Sequence, residues 1–426
     1  MITIQEADRL ILDNMPRAAA EPCALQECAG RILCESVRAD RPLPPYDRVI
    51  MDGMAIDYDD WLAGCRTFTI EGLAPAGAPR HTLAKRQHAI EVCTGTVLPK
   101  GCDTVVPVEE ITKDGDEWSL TGTAPIARGD YIHPCGSDSA AGKELIEPGI
   151  RLNAAHIAIC ASVGHVQVAV ARQPSIGIIS TGDEIVEPDQ VPAEHQVRSS
   201  NMEGLCALLA AHGVPAAGRY HVSDQSEDTC EALGFALDRH DILLVTGGVS
   251  KGRRDIIPET LAALGVEKIF HGVRQRAGKP MWFGMRAADQ RVVFGLPGNP
   301  VSSLTVATRH FVPALHFHLS GSPASPAHIP LHRPVEPLDG FTNLLPVRLT
   351  TKGDLAAEPL ITNTSGDFAT LSQADGFLEI PPRSAAFSEG QRGPSASEKP
   401  GLQETPPAEH FPFFPLTPFP LHGAAS

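Results

Sequence analysis

The sequence lacks an excess of positive charge, and this shortage excludes two classes of partner. Its 426 residues include 35 Lys and Arg against 51 Asp and Glu, a formal net charge of -16. Proteins that bind nucleic acid or anionic membranes over a wide surface need the opposite balance. We therefore predict no nucleic-acid partner and no membrane partner. An anionic ligand would have to be held by a local basic patch.

Long hydrophobic runs and paired cysteines are also missing. No apolar stretch approaches the roughly 18 residues that a membrane-spanning helix needs. The N-terminal residues are acidic and amphipathic, which is not the pattern of a signal peptide. The 10 cysteines include no C-x-x-C pair, so the sequence indicates neither a zinc site nor a disulfide framework. We interpret them as buried free thiols and expect a cytoplasmic protein.

The sequence does contain loops rich in Gly, Ser, Thr and Asp. Three of them follow short apolar runs, residues 176–179, 242–245 and 292–294, which are typical of buried parallel strands. The loops are Ser180-Thr181-Gly182-Asp183-Glu184, Thr246-Gly247-Gly248-Val249-Ser250 and Gly295-Leu296-Pro297-Gly298-Asn299-Pro300. Ligands in open α/β sheets bind outside the carboxyl ends of such strands. We therefore predict a pocket there for a phosphorylated, anionic small molecule.

Each loop has a feature that suits an anion and an ordinary structural alternative. Gly247 and Gly248 would let backbone amides approach phosphate oxygens, but they could also form a plain strand-to-helix turn. Asn299 and Pro300 are typical of the start of a helix, whose N-terminus attracts anions, although a plain helix cap explains them equally well. The nearby basic residues belong either to the pocket or to a solvated face. They are Lys251, Arg253, Arg254, Arg274, Arg276 and Lys279.

Carboxylates beside an anion pocket suggest a metal ion. Asp183, Glu184 and Asp255 could hold a divalent cation that bridges phosphates. Asp47 ends a stiff loop, Pro44-Pro45-Tyr46-Asp47, which runs into Met51-Asp52-Gly53. Its carboxylate is either a turn former or a catalytic or metal-binding group. Weaker candidates are Thr94-Gly95 and Asp138.

The order of elements predicts a multidomain α/β protein. A doubly wound α/β domain is predicted for residues 1–20 and 174–320, and a small mixed domain for residues 21–40 and 140–173. Short β-prone runs between Gly and Pro turns predict a β-rich domain at residues 41–139. Residues 321–388 are predicted to form a C-terminal β-barrel-like domain. Residues 389–426 are expected to be a mostly disordered low-complexity tail, in which Phe411-Pro412-Phe413-Phe414-Pro415 could dock as a last edge segment.

Local patterns also predict individual elements. Helices are expected over residues 3–15, 153–162, 200–209 and 223–237, with further helices starting near Pro258 and at Pro300. Strands are expected over residues 67–70, 89–93, 104–108, 165–170, 344–349 and 376–380.

Taken together, the motifs resemble a known family. Their order is similar to that of the molybdopterin molybdenumtransferases, the family that includes the bacterial molybdenum insertase and the gephyrin E domain. The resemblance spans about residues 4–380, and it is specific because six motifs coincide in register. They are Pro44-Pro45-Tyr46-Asp47 with Met51-Asp52-Gly53, Thr94-Gly95 with Gly101-Cys102-Asp103-Thr104-Val105-Val106, Ser180-Thr181-Gly182-Asp183-Glu184, Gly247-Gly248-Val249-Ser250, Gly278-Lys279-Pro280 and Gly295-Leu296-Pro297-Gly298-Asn299-Pro300-Val301.

The resemblance implies an activity and a set of partners. The activity would be insertion of molybdenum from molybdate into adenylylated molybdopterin, giving molybdenum cofactor and AMP with the participation of Mg²⁺. The α/β domain would bind molybdopterin, as in the related molybdopterin adenylyltransferases. The protein would be a homodimer whose active site combines the α/β domain of one subunit with the β-rich domain of the other. A molybdopterin adenylyltransferase would supply the substrate, and a molybdenum enzyme or cofactor carrier would receive the product.

The same resemblance gives each candidate residue a role. The catalytic candidates are Asp47, Thr94, Glu184, Asp255 and Lys279. The candidates for binding the molybdopterin substrate are Thr181, Gly182, Thr246, Gly247, Gly248, Ser250, Arg276, Pro297, Gly298, Asn299 and Pro300. The candidate metal ligands are Asp47, Asp183, Glu184, Asp224 and Asp255.

The sequence departs from the family pattern at several positions and leaves alternatives open. Many members have S-V-G-x-x-D where this chain has Ser250-Lys251-Gly252-Arg253-Arg254-Asp255, and Arg276 stands in place of a lysine. The serine of the first motif is replaced within Arg48-Val49-Ile50. An adenylyltransferase-like or nucleotide-hydrolysing relative and a non-catalytic molybdopterin-binding scaffold are the alternative functions. Molybdenum and tungsten are not distinguished by the sequence.

Overall fold

The computed structural model describes residues 1–122, 125–223, 226–249, 256–350, 354–360, 367–383 and 410–418. The chain forms two compact units. The first, called the large unit, comprises Met1–Glu21, Gly30–Cys34 and Ala169–Ser426. The second, called the small unit, comprises Pro22–Ala29 and Glu35–Val168. The finer division into five segments remains a prediction.

The helices are short to medium in length. They are α1 Ile4–Asn14, α2 Tyr58–Leu62, α3 Ala154–Ser162, α4 Ser200–Ala211, α5 Ser226–Arg239, α6 Ile257–Ala263, α7 Pro300–Val306 and α8 Val312–Ser320, with a π-helical turn at Ala307–Phe311 between the last two. Three 3-10 turns lie at Leu25–Glu27, Val108–Glu110 and Ala369–Gln373. Within the described residues, no helix has the length and apolar character needed to cross a bilayer.

The strands alternate with these helices. Those of the first part of the chain are β1 Ala20–Ala24, β2 Val37–Arg38, β3 Arg48–Val49, β4 Gly53–Ile56, β5 Thr67–Ala74, β6 His88–Val92, β7 Thr104–Pro107, β8 Ile111–Asp114, β9 Glu117–Leu120, β10 Ile132–His133, β11 Glu144–Ile146 and β12 Gln167–Ala171. Those of the second part are β13 Ile176–Thr181, β14 Ile185–Val186, β15 Val197–Arg198, β16 Gly218–Val222, β17 Ile242–Thr246, β18 Glu267–His271, β19 Gln275–Arg276, β20 Trp282–Arg286, β21 Arg291–Leu296, β22 Ala327–Pro330, β23 Thr342–Thr350, β24 Ala356–Pro359, β25 Gly376–Ile380 and β26 His410–Pro415.

Local sequence explains where α1 begins and ends. The Thr3 hydroxyl accepts a hydrogen bond from the Glu6 backbone, and the Glu6 carboxylate accepts one from the Thr3 backbone, so a capping box starts the helix. The last helical residue is Asn14, because Pro16 disfavours helical backbone at the residue before it. Both ends confirm the predicted helix.

The main sheet of the large unit has the order β16-β13-β17-β21-β20-β18. The first four strands are parallel, β20 is antiparallel to β21, and β18 is antiparallel to β20 and so runs in the direction of the first four. Strand β17 is buried on both faces: Ile242 and Leu244 pack with α1 and α4, whereas Leu243 and Val245 pack with α5 and α6. Helices therefore cover both faces, which confirms the doubly wound α/β prediction. The sequence analysis had not predicted β16, β18 or β20.

A second sheet of the large unit is barrel-like. Its order is β19-β23-β25-β26-β22, and β24 pairs with β23. A bridge between Leu331 and Ala357 then joins the end of β22 to β24, which closes the ring of strands. Strand β26 lies between β25 and β22, so the expectation that the phenylalanine-rich segment is an edge strand is wrong. Its Phe413 side chain is 1% exposed and packs in the core of this sheet.

The small unit is built on a mixed sheet with the order β7-β4-β6-β5-β9-β8. The two faces of β4 contact different cores, since Met54 and Ile56 pack on one side and Ala55 on the other. This arrangement confirms that the region is β-rich. All ten cysteines lie in the described residues and none of them forms a disulfide, but the expectation that they are buried holds only for Cys23, Cys28, Cys102 and Cys160.

Candidate anion-binding and active site

Three of the predicted loops meet at one edge of the main sheet. Ser180 on β13 is level with Thr246 on β17, and Thr246 is level with Leu296 on β21. The strands therefore end together and their following loops lie side by side. Between these loops is a cavity of about 470 Å³. We call it the edge cavity; its lining includes Ser180, Thr181, Gly182, Glu184, Asn201, Thr246, Gly247, Gly248, Pro280, Pro297, Gly298 and Pro300.

The glycines of the edge cavity are required by geometry. Gly247 and Gly248 have φ values of +92° and +61°, which favour glycine. A Cβ atom on Gly247 would lie 2.7 Å from both the carbonyl oxygen and the hydroxyl of Thr181. A Cβ atom on Gly182 would lie 2.7 Å from a carboxylate oxygen of Glu184. The backbone can therefore approach a ligand closely at these points.

Polar atoms at the cavity are left open to a ligand. Among the described residues, the Ser180 and Thr181 hydroxyls and Asn201 Oδ1 are buried without a hydrogen-bond partner. Such groups are costly unless something else satisfies them. A bound anion would accept hydrogen bonds from the two hydroxyls, so their state supports a ligand site rather than an ordinary turn.

Asn201 is a site residue whose role the sequence analysis missed. Its Nδ2 donates to Thr246 Oγ1 and to the Gly298 carbonyl oxygen, both at 2.8 Å. From the sequence, this position was predicted only to lie at the start of the helix at residues 200–209, and the N-cap of α4 is Ser199. A polar residue at the start of the helix after β15 was the available signal, but only the fold shows that it joins the loops after β17 and β21.

The loop after β21 begins a helix as predicted. Asn299 accepts a hydrogen bond from the Ser302 backbone, and Pro300 is the first residue of α7. The helical segment continues through the π-helical turn into α8. Its N-terminal partial positive charge is therefore directed to the edge of the cavity that Pro297, Gly298 and Pro300 line.

A second cavity, of about 450 Å³, carries the exposed basic residues Arg276 and Lys279. Pro280 lines both cavities. The turn before it is tightly fixed, because Gly278 has φ +83° and a Cβ atom there would lie 2.1 Å from Val306. Lys279 is thus presented on a rigid turn next to the edge cavity.

The small unit brings together the candidates of its own motifs. The Asp47 carboxylate accepts a hydrogen bond from the Cys135 backbone at 2.9 Å, and the Leu98 backbone donates to the Asp47 carbonyl oxygen at 2.9 Å. Hydrogen bonds from the backbone and hydroxyl of Thr94 lower the pKa of the Asp52 carboxyl. The loops at residues 44–52, 94–98 and 133–138 therefore form one structure.

Hydrogen bonds of His133 also connect residues of these loops. Arg48 donates to His133 Nδ1 at 3.1 Å, so the proton of the neutral imidazole is on Nε2. This nitrogen lies 2.8 Å from an oxygen of Asp138 and donates to it. Gly53 completes the motif, because a Cβ atom there would lie 1.9 Å from the Val106 carbonyl oxygen.

Only some of the candidate metal ligands lie in the described residues. Asp224 and Asp255 lie outside the described residues, as does the substrate-binding candidate Ser250. Asp183 and Glu184 are exposed, and Glu184 lines the edge cavity. No group of three or more His, Cys, Asp or Glu side chains in the described part of the chain is arranged to hold a metal ion.

Comparison with known proteins identifies the family. Residues 2–164 match the MoeA N-terminal region (domain I and II), residues 177–316 match a probable molybdopterin binding domain, and residues 328–392 match the MoeA C-terminal region (domain IV). A molybdopterin molybdenumtransferase of Synechocystis sp. is 37% identical over 393 residues, which cover 92% of this chain and 98% of the relative. The chain belongs to the molybdopterin molybdenumtransferase family.

Other members of the molybdopterin molybdenumtransferase family are more distant but match over similar lengths. The one from Staphylococcus epidermidis is 29% identical over 91% of this chain and 94% of the relative. The crystal structure of the molybdopterin biosynthesis moeA protein from Pyrococcus horikoshii OT3 superposes with a TM-score of 0.75, at 25% identity, over 90% of this chain and 96% of that chain. Sequence and fold therefore agree that the chain is a transferase of this family.

Proposed function

We propose that this protein transfers molybdenum from molybdate into adenylylated molybdopterin and releases AMP and molybdenum cofactor. The observation that carries the proposal is the edge cavity, where required glycines and unpartnered hydroxyls surround a space suited to phosphate groups. Family membership supplies the identity of the pterin and of the metal. The bond that breaks is the anhydride between the molybdopterin phosphate and AMP.

The residues of the large unit would bind the substrate. Thr181, Gly182, Thr246, Gly247, Gly248 and Ser250 are proposed to contact its phosphates, together with Pro297, Gly298, Asn299 and Pro300. Arg276 and Lys279 would supply positive charge, and as exposed cations beside the cavity they suit molybdate and the anhydride.

The residues that line the edge cavity suit the way in which Mg²⁺ usually binds to proteins. Glu184 lines the same cavity as the open hydroxyls of Ser180 and Thr181, and Mg²⁺ is commonly held by one or two carboxylates and the substrate phosphates. Asp183, Glu184, Asp224 and Asp255 are the proposed ligands, with Asp47 as a further one. The bound ion would neutralise charge on the phosphates.

The decisive experiment is reconstitution with the purified protein. Adenylylated molybdopterin, molybdate and Mg²⁺ should give AMP in step with cofactor that activates a molybdenum-free apoenzyme. Lys279→Ala is the matched variant and should release much less AMP. AMP release without active cofactor would instead support a nucleotide-hydrolysing relative, and binding without any release would support a non-catalytic scaffold.

We further propose a homodimer in which Asp47 and Thr94 of one subunit complete the site of the other. The support is that these candidates and the phosphate loops belong to different compact units of the chain. A mixture of Asp47→Ala and Lys279→Ala chains should regain up to about a quarter of wild-type activity, since half of randomly mixed dimers carry one intact site. A fully active monomer would contradict this proposal.

The role of Asp47 can be separated from loop structure. Asp47→Asn preserves an acceptor for the Cys135 backbone, so the fold should be kept while metal transfer is lost. Unchanged cofactor yield at an unchanged melting temperature would show that Asp47 is a turn residue.

The proposed compartment is the cytoplasm, with a molybdopterin adenylyltransferase upstream and a molybdenum enzyme or cofactor carrier downstream.

A further inference from the structure

The π-helical turn Ala307–Phe311 buries three consecutive polar side chains. Thr308 is 1% exposed, Arg309 6% and His310 2%, and the apolar Ala307 and Phe311 are also buried. A regular helix seldom covers five successive residues, and single π-helical turns often occur at functional sites. Neither Arg309 nor His310 was a candidate from the sequence.

Arg309 is fixed by acidic groups from two other elements. Its guanidinium donates to both oxygens of Asp8 on α1, at 2.9 and 2.7 Å. Its Nε donates to Glu379 on β25 at 2.5 Å. A buried, bidentate arginine pair of this kind has little freedom, so the turn that carries it is held in place on both sides.

His310 connects this fixed turn to the lysine turn. Its Nε2 lies 2.7 Å from Gln275 Oε1, and because an amide oxygen can only accept, the ring proton is on Nε2. Burial lowers the pKa of His310, and the Nδ1 atom of its ring lies 3.4 Å from an Asp8 oxygen.

Gln275 completes the connection. Its side chain is 1% exposed, and its Nε2 donates to the Gly278 carbonyl oxygen at 3.1 Å. Gly278 immediately precedes Lys279, and the backbone of the turn is also paired through Val273 and Lys279 at 3.0 Å. A continuous series of buried hydrogen bonds therefore runs from the π-helical turn to the base of the lysine turn.

We propose that His310 and Gln275 are positioning residues for the transfer reaction, which hold the turn of Gly278, Lys279 and Pro280 so that Lys279 faces the anion site. The inference rests on the proposed function of Lys279. It assigns the buried polar pair a purpose beyond core packing, because the pair ends on the backbone carbonyl of Gly278, the residue immediately before the proposed catalytic lysine.

The test compares two buried hydrogen bonds of equal length. Gln275→Met keeps the side-chain length but removes the bonds to His310 and Gly278. His318→Leu is the matched control, since His318 is also buried and its Nδ1 donates to the Pro16 carbonyl oxygen at 2.7 Å, away from the lysine turn. Melting temperature, molybdate affinity by equilibrium dialysis and kcat/KM for AMP release are measured for both.

Gln275→Met should weaken molybdate binding and lower kcat/KM by about 10-fold, as expected for a lost hydrogen bond that positions a charge. His318→Leu should lower the melting temperature without changing affinity. In a Lys279→Ala background, Gln275→Met should cause no further loss of affinity, because the group that it positions is already absent. Wild-type affinity in Gln275→Met, or full additivity with Lys279→Ala, would overturn the inference.

Two further outcomes keep the test decisive. If Gln275→Met does not fold, His310→Phe replaces it; this variant leaves the Gln275–Gly278 bond and should weaken molybdate binding by about 3-fold, again only when Lys279 is present. Unchanged affinity in His310→Phe would overturn the inference. A wild-type protein that binds molybdate but releases no AMP contradicts the proposed function, while the affinity comparison still decides the role of Gln275.

Discussion

Buried polar groups at the two ends of the main sheet differ in whether they have hydrogen-bond partners. At the amino end, the Ser175 hydroxyl lies 2.8 Å from His240 Nδ1, and His240 Nε2 lies 2.8 Å from the Tyr220 hydroxyl. At the carboxyl end, the hydroxyls of Ser180 and Thr181 have no partner in the described part of the protein. The same strand, β13, starts just after the first group and ends with the second.

Because of this difference, the polar groups at one end of β13 stabilise the fold and those at the other end can bind a ligand. The amino end is closed: Gly177 and Gly218 leave room for His240, since Cβ atoms there would lie 2.6 and 2.3 Å from its ring. Asp241 is held nearby by Arg172 at 3.2 Å. Polar groups at the amino end therefore support the fold, whereas those at the carboxyl end are available to a ligand.

The strongest test of this comparison adds one methyl group at each end. Gly247→Ala would force Cβ against Thr181 and displace amides of the edge cavity, so we expect kcat/KM for AMP release to fall by about 100-fold. Gly265→Ala, before β18, has a similar φ of +81° with no atom nearer than 4.0 Å. The left-handed backbone alone should cost each variant about 1–2 kcal/mol of stability, and the contact with Thr181 adds to the cost in Gly247→Ala.

Gly265→Ala should therefore retain activity although its melting temperature falls. Equal losses of activity in the two variants would mean that backbone strain, rather than the edge cavity, controls the reaction.

A smaller effect is expected from two serines, Ser175 just before β13 and Ser180 near its end. Ser180→Ala removes an unpartnered hydroxyl, so stability should hold while kcat/KM falls by about 10-fold. Ser175→Ala leaves His240 Nδ1 unpaired and should lower the free energy of unfolding by about 1–2 kcal/mol with activity unchanged. Urea denaturation and AMP release measure the two quantities. A loss of stability in Ser180→Ala and a loss of activity in Ser175→Ala would contradict the assignment of binding to the carboxyl end and stability to the amino end.

The smallest effect concerns acid stability at the amino end. Burial raises the pKa of Asp241, but the hydrogen bond from the Ser175 backbone and the charge of Arg172 outweigh it, so the pKa is lowered overall. Its stabilisation is present above the unfolded-state pKa of about 3.9 and is lost as pH falls towards the folded-state pKa. Asp241→Asn should therefore lower stability at pH 7 and flatten its decline below about pH 4.

Urea midpoints between neutral and acidic pH measure this change. Glu194→Gln removes the same charge from an exposed loop and should leave the curve as it is in the wild type. A curve for Asp241→Asn that parallels the wild type would exclude Asp241 as a source of acid sensitivity.

Strong local patterns explain what the sequence predicted of the fold. The runs at residues 242–245 and 292–294 are continuous and apolar because β17 and β21 are buried on both faces. The Asn299 cap and Pro300 mark the start of α7 by rules that act within a few residues. Such signals need no knowledge of distant partners.

The missed elements depend on partners that are distant in the sequence. Strand β16 lies at the sheet edge and its exposure alternates, so Gly218–Val222 reads as polar. Strand β20 is apolar, but its antiparallel direction depends on pairing with β21, which a local pattern does not indicate. Within the site, Asn201 bonds to the loop after β21 and Gln275 pairs with His310 on the π-helical turn, and spacing alone cannot reveal these contacts.

The position of β26 has a consequence for the order in which the protein is completed during translation. His410–Pro415 fills the middle of the barrel-like sheet, between Gly376–Ile380 and Ala327–Pro330. The ribosome makes these residues after the other strands of the sheet, so β25 and β22 lack the strand that lies between them until β26 is made. During that time the nascent chain exposes two unpaired strand edges, a state that is prone to aggregation and that chaperones bind.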